Sequence, residues 1–148
     1  NGVERIICDN IDITGELKTS TIAQAASLLS TNGYVRDELL HLQRLIANDH
    51  DVIAEGRDAG SLVFPHAGKK FYITASLDER ARRWQKSLGN QGTVVNFEYA
   101  LGDLRMRDDR DMNRALAPLV IPQGAVVIDN SQLTIDQTVQ VILEHIQQ

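Results

Sequence analysis

The sequence predicts a mixed α/β fold built around a parallel sheet, and three observations point there. Asp51–Glu55 (DVIAE), Phe71–Ala75 (FYITA) and Ala125–Asp129 (AVVID) are short continuous apolar runs, the pattern of strands buried on both faces. Between and after them the apolar spacing turns helical. Strand–helix alternation from Asp51 onward is the signature of parallel strands joined by crossover helices. With 148 residues, 43% hydrophobic and 24% charged, the chain is long enough and ordinary enough in composition to bury one core.

The elements follow in order. Val3–Cys8 (VERIIC) alternates like a short strand, and Ile11–Thr14 is placed to pair with it across a tight turn containing Asn10. Ser20 or Thr21 is suited to cap a helix over Ile22–Leu29, and a second helix follows the Asn32-Gly33 break with apolar residues at Val35, Leu39, Leu42 and Ile46. The run at Asp51–Glu55 ends in Gly56 and so delivers polar residues at a strand's carboxyl end. A helix is expected from about Leu77 to Leu88, then a Gly-Asn-Gln-Gly loop at 89–92, then a helix from about Asn96 to Arg114. After the third strand, an amphipathic helix spans roughly Ile135–Ile146. No internal repeat or long linker interrupts this order.

Charge narrows the function. Twenty acidic residues against fifteen basic ones give a net charge of −5, which disfavours bulk attraction to nucleic acid. Eleven of the fifteen basic residues are arginine, and seven of those fall between Arg80 and Arg114. Arginine is the residue of bidentate, planar phosphate and carboxylate recognition. An acidic protein with a concentrated arginine segment is built for a small anion. The single Cys8 excludes an internal disulfide and a thiolate zinc cluster, in keeping with a reducing cytoplasm. No apolar run approaches 18 residues, so no membrane span is expected. The chain opens on Asn1, as a piece of something longer would.

Two clusters carry the chemistry. In RDDRDMNR (107–114), each helical residue advances about 100°, so Arg107, Asp111 and Arg114 lie within roughly 60° of one another, with Arg110 at the edge of the stripe. Exposed ion pairs contribute only about 0–1 kcal/mol each, a poor reason to gather three guanidinium groups around one carboxylate. The plain alternative is a solvated charge ladder. The second cluster, EGRDAG (55–60), stands at the carboxyl end of a predicted strand, where ligands of parallel sheets bind. Gly56 and Gly60 permit a sharp turn, while Arg57 and Asp58 project; the plain alternative is that Arg57 and Asp58 cap the next element. Asn48-Asp-His-Asp51 reads as a polar helix end, not a metal site. His41, His145, Trp84 and Ser61 lack partners in sequence that would give them chemistry, and no metal-ligating set is assigned.

These residues together resemble bacterial cytidylate kinase, a P-loop nucleoside-monophosphate kinase. The resemblance rests on EGRDAGSLVFP at 55–65, ITASLDERARR at 73–83 and RDDRDMNRALAPL at 107–119, and it extends through Asp12-Ile-Thr14, Ala25-Ala-Ser27, Val35-Arg36, Leu42-Gln-Arg44 and the AVVID strand. It implies a three-layer parallel sheet, incomplete here. Residues 1–30 would be part of the nucleoside-monophosphate-binding insertion, and 31–148 the C-terminal part of the core with a lid at about 80–114. It implies that Ser27, Arg107 and Asp111 hold the acceptor's sugar, that Arg36 and Asp58 read the cytosine edge, and that Arg57 and Arg114 grip the α-phosphate. Arg57, Arg107 and Arg114 would then act in catalysis. Arg80, Arg82 and Arg83 would stand near the donor nucleotide. The implied activity is transfer of the ATP γ-phosphoryl group to CMP or dCMP with Mg²⁺, in a cytoplasmic, monomeric enzyme.

One departure matters. GxxxxGK[ST], the loop that holds the donor's β- and γ-phosphates, occurs nowhere in the 148 residues. The strand preceding that loop is the centre of the family's sheet, so Asp51–Glu55 and Phe71–Ala75 would flank it and not pair with each other. The expectation is a C-terminal portion, inactive alone and prone to self-association. A non-catalytic nucleotide-binding or regulatory module derived from a kinase is the second reading. RNA binding through the 80–114 arginines is the third, and the acidic balance and few aromatics oppose it.

Overall fold

The computed structural model describes residues 5–18, 20–90 and 92–147. Val3 and Glu4 of the first predicted strand, Thr19 before the first helix and Gln91 of the glycine loop lie outside the described residues. The chain divides into two compact units, Asn1–His50 and Asp51–Gln148.

The first unit opens with an antiparallel hairpin of β1 (Ile7–Cys8) and β2 (Ile11–Asp12), in which Cys8 faces Ile11. Its two-residue loop, Asp9-Asn10, has φ of 49° and 65°. Positive φ at both central positions is what a type I′ turn requires, and Asp and Asn tolerate it better than most residues. The Ile13 amide donates to the Ile6 carbonyl at 2.9 Å, and the Ile6 amide to Thr14 Oγ1 at 2.9 Å. A 3₁₀ turn at Glu16–Lys18 leads to α1 (Ser20–Leu29), so Ser20 begins the helix where a cap was expected. Asn32 caps α2 (Gly33–Ile46), accepting from the Tyr34 and Val35 amides at 3.0 and 3.3 Å. No α2 residue is buried; Leu39, Leu42 and Ile46 of the predicted apolar stripe are exposed.

The second unit holds two parallel strands, β3 (Phe71–Thr74) and β4 (Val126–Asp129), paired from Phe71↔Val126 to Thr74↔Asp129. The crossover between them consists of α3 (Leu77–Asn90) and α4 (Phe97–Asn113), and α5 (Ile135–Ile146) follows β4. α3 runs past Leu88 through Gly89, so the expected glycine loop shrinks to its end. α4 starts behind an Asn96 cap that accepts from Tyr99 N at 2.7 Å. Thr134 and Gln137 form a reciprocal capping box at the start of α5, at 3.2 and 2.9 Å.

The predicted strand at 51–55 does not form. Those five residues have no regular structure, and Ile53 is fully exposed. An apolar run becomes a strand only through a hydrogen-bonded ladder, and among the described residues neither β3 nor β4 pairs with it. The buried apolar residues are Val63, Ala75, Ala81, Ala100 and Ile128. Ala81 of α3 and Ala100 of α4 are wholly buried, and side chains this small let the two packed helices approach closely. Beside them Trp84 stacks on Tyr99 at 6.4 Å between ring centroids, which gives the tryptophan a packing role.

Candidate functional site

The segment after residues 51–55 turns abruptly. Gly56 has φ of +157°, and a Cβ on Gly60 would meet Pro122 Cγ at 3.0 Å, so Gly60 lets the backbone pass close against the Pro122 ring. Ala59–Val63 is a single π-helical turn in which the Asp58 carbonyl accepts from Leu62 and Val63, at 2.9 and 3.1 Å. Such turns are rare and concentrate at functional sites. This one fixes the backbone of the Arg57-Asp58 pair, and both residues are partly buried.

Arg57 reaches α4: its Nε lies 3.3 Å from Asp111 Oδ2. The contact is an ion pair whose angle does not make a hydrogen bond, because Asp111 Oδ2 is buried with no hydrogen-bond partner among the described residues. Arg114 does not continue the helix. It is the C-cap residue, with extended φ and ψ of −65° and 142°, so its direction is not set by the 100° stepping that placed it on the stripe. Its Nε donates instead to the Ala117 carbonyl at 2.5 Å, and its Nη2 is buried with no hydrogen-bond partner among the described residues. The Leu119 amide closes the turn on the Asp111 carbonyl at 2.7 Å. Arg107 lies one turn before Asp111, exposed on α4. Arg57 thus meets Asp111 near the end of α4, and Arg114 follows three residues on; among the described residues, Asp111 Oδ2 and Arg114 Nη2 are buried with no hydrogen-bond partner. Buried polar atoms are nearly always paired, so these two exceptions mark the end of α4 as a candidate site.

The three arginines at the start of α3 are engaged by protein groups. Arg80 Nη1 sits 3.0 and 2.7 Å from the two oxygens of Asp108, while its Nε donates to the Ala75 carbonyl at 3.1 Å. Arg83 donates to Glu79 at 2.8 Å and to the side chain and backbone carbonyl of Asn130 at 2.9 and 2.8 Å. Arg82 lies over the Phe97 ring, 5.6 Å from its centre. These contacts gather at the carboxyl ends of β3 and β4. There Ser131 donates to Asp129, and the Ser76 amide donates to Ser131 Oγ at 2.8 Å. The Ser131 hydroxyl and amide hold the Asp129 carboxyl below its ordinary pKa of 3.8. In the first unit, Ser27 lies in α1, and Arg36 Nη1 donates to the Ser30 carbonyl at 3.2 Å.

Three features of the site escaped the sequence: the Arg80–Asp108 pair, the Arg57–Asp111 pair and the turn at Ala117. Asp108 was visible only as one acid among several in RDDRD. Ala117 before Pro118 gave no turn signal of the usual Gly or Asn kind. Among the described residues, no three His, Cys, Asp or Glu side chains gather as metal ligands, and no helix is long and apolar enough to cross a membrane.

Comparison with known proteins names the family. The family profile described as Cytidylate kinase matches residues 2–148. The cytidylate kinase of Citrobacter koseri is 41% identical over 148 residues, all of this chain and 65% of its own length. That of Klebsiella pneumoniae is 41% identical over 145 residues, covering 98% of this chain and 64% of the relative. That of Caldanaerobacter subterraneus subsp. tengcongensis is 41% identical over 143 residues, covering 97% and 64%. The chain therefore spans about 65% of the length of the curated relatives it matches. On a match of that extent, the chain belongs to the cytidylate kinase family and has that family's P-loop nucleoside-monophosphate kinase fold class.

Proposed function

We propose that this protein serves the transfer of the ATP γ-phosphoryl group to CMP or dCMP, and that these 148 residues supply the acceptor pocket and the lid. The observation that carries the reading is the Arg57–Asp111 ion pair near the end of α4, three residues before Arg114, with Asp111 Oδ2 and Arg114 Nη2 buried and without a hydrogen bond among the described residues. A nucleoside monophosphate offers both complements, phosphate oxygens for the arginines and a sugar hydroxyl for the carboxylate. Arg57 and Arg114 grip the phosphate; Arg107 and Asp111 hold the sugar with Ser27. Asp58 and Arg36 read the base. A carboxylate accepts from the N4 amino group of cytosine, whereas the O4 of uracil meets it as a second acceptor and is repelled. Residues 1–30 are part of the monophosphate-binding insertion, residues 31–148 belong to the core, and residues 80–114 are the lid.

A phosphate monoester oxygen is already nucleophilic at neutral pH, so the reaction requires no strong base. The protein's part is alignment, charge neutralisation and exclusion of water. Arg80, Arg82 and Arg83 face the donor side. Mg²⁺ supplies further neutralisation at the moving phosphoryl group, and it is typically held by substrate phosphates with few protein ligands. An exposed free thiol at Cys8 suits a cytoplasmic location.

The alternative is a binding module that keeps the pocket and lacks transfer. Joining the chain to the P-loop segment of a relative and measuring CDP formation from CMP and ATP separates the two. Turnover that falls on Asp111→Ala supports the kinase. CMP binding without turnover in the joined protein supports the module.

A further inference from the structure

Helices commonly end on a left-handed glycine that satisfies their last carbonyls. α4 ends otherwise. Asn113 is its last residue, Arg114 is extended, and the left-handed position falls at Ala117, with φ of 49°. Alanine resists that conformation because its Cβ crowds the following carbonyl, and Pro118 restricts the residue before it still further. A conformation held against both preferences has a local cause, and the hydrogen bonds show what the turn accomplishes. It presents the Ala117 carbonyl to Arg114 Nε at 2.5 Å and brings the Leu119 amide to the Asp111 carbonyl at 2.7 Å. Both bonds end on residues of the acceptor site. They leave the buried Arg114 Nη2 and Asp111 Oδ2 as that site's unsatisfied atoms.

We propose that Ala117 is a positioning residue for the acceptor phosphate. Its left-handed backbone ties up Arg114 Nε, fixing the guanidinium plane so that the outer edge of the fork remains for phosphate oxygens. The inference rests on the function proposed above and adds a residue whose side chain touches no substrate. A guanidinium free to rotate keeps its charge but loses the alignment that makes two parallel hydrogen bonds.

The test compares CMP with cytidine, which lacks the phosphate, by equilibrium binding to the 148 residues joined to the P-loop segment of a relative. Valine at 117 cannot adopt the left-handed conformation, whereas asparagine, of similar bulk, tolerates it. Ala117→Val is expected to weaken CMP binding about tenfold, the loss of one charge-assisted hydrogen bond, while cytidine binding stays unchanged. Ala117→Asn is expected to bind both as the unaltered chain does. Should Ala117→Val not fold, the decision passes to Ala117→Gly, which permits the turn without pinning it and is expected to lose CMP affinity selectively by a smaller factor. Equal behaviour of Val and Asn, parallel loss of CMP and cytidine, or no selective loss in the glycine variant would overturn the proposal. An unaltered chain that binds CMP no better than cytidine would overturn the phosphate site itself, a failure distinct from the others.

Discussion

The Arg80–Asp108 pair ties α3 to α4, and removing it loosens that helix pair by an amount the geometry sets. Asp108→Ala deletes contacts of 3.0 and 2.7 Å to Arg80 Nη1 and leaves the 3.1 Å bond from Nε to Ala75 intact. A hydrogen bond between charged groups contributes about 1.5–3 kcal/mol when shielded. Here the side chains are 32% and 16% exposed, so solvent screening lowers the figure to about 1–2 kcal/mol. Native-state amide exchange is the suitable assay because it reads local opening free energy. Amides of α3 and α4 exchange about 5- to 30-fold faster in Asp108→Ala, while those of α5 serve as the internal reference. Asp108→Asn keeps an acceptor and shows a smaller effect. A double-mutant cycle with Arg80→Met isolates the pair. Additive effects of the two replacements, or unchanged α3 and α4 exchange in Asp108→Ala, would refute the reasoning.

Three more outcomes are expected. The 148-residue chain by itself forms no CDP from CMP and ATP, since no GxxxxGK[ST] loop occurs in it; a coupled assay showing enzymatic turnover would contradict this. With Ile53 fully exposed and Ile73 and Val127 half exposed near unpaired strand edges, the chain self-associates or melts broadly; sedimentation of a monomer with a sharp melt would count against it. The Asp129 carboxyl titrates below 3.8, and Ser131→Ala raises it. A depressed folded-state pKa contributes stability that is present above the unfolded value and lost as pH falls through the folded one, so Ser131→Ala removes the hydroxyl's share of that acid-limb contribution and leaves the amide's; carboxyl chemical shifts against pH report it.

Local signals were legible where one residue or one short interaction decides the structure. The helices expected after the Asn32-Gly33 break and from about Asn96 form there, each behind an asparagine that caps it, and α5 runs over the residues its periodicity marked. The hairpin turn at Asp9-Asn10 was readable for the same reason. Residues 51–55 were misread because apolar content reports a strand's surroundings, whereas the strand itself depends on a partner elsewhere. The stripe of Arg107, Asp111 and Arg114 rested on a helical argument that fails at its last member. The helix stops at Asn113, and Arg114 is aimed by a carbonyl three residues on. Asp108 paired with Arg80 was illegible because its partner lies 28 residues away, across the helix pair.

Base reading at Asp58 and phosphate grip at Arg114 are proposed as separate tasks. The ratio of UMP to CMP dissociation constants, measured for the 148 residues joined to a relative's P-loop segment and for their Asp58→Asn and Arg114→Ala variants, decides between separate and shared roles. Asparagine can turn a donor toward the O4 of uracil, so Asp58→Asn narrows the preference for CMP, by about 1–3 kcal/mol for one base-edge pair. Arg114→Ala weakens both nucleotides and leaves their ratio unchanged, because a phosphate contact does not sense the base. A ratio untouched by Asp58→Asn and shifted by Arg114→Ala would contradict the assignment of both residues.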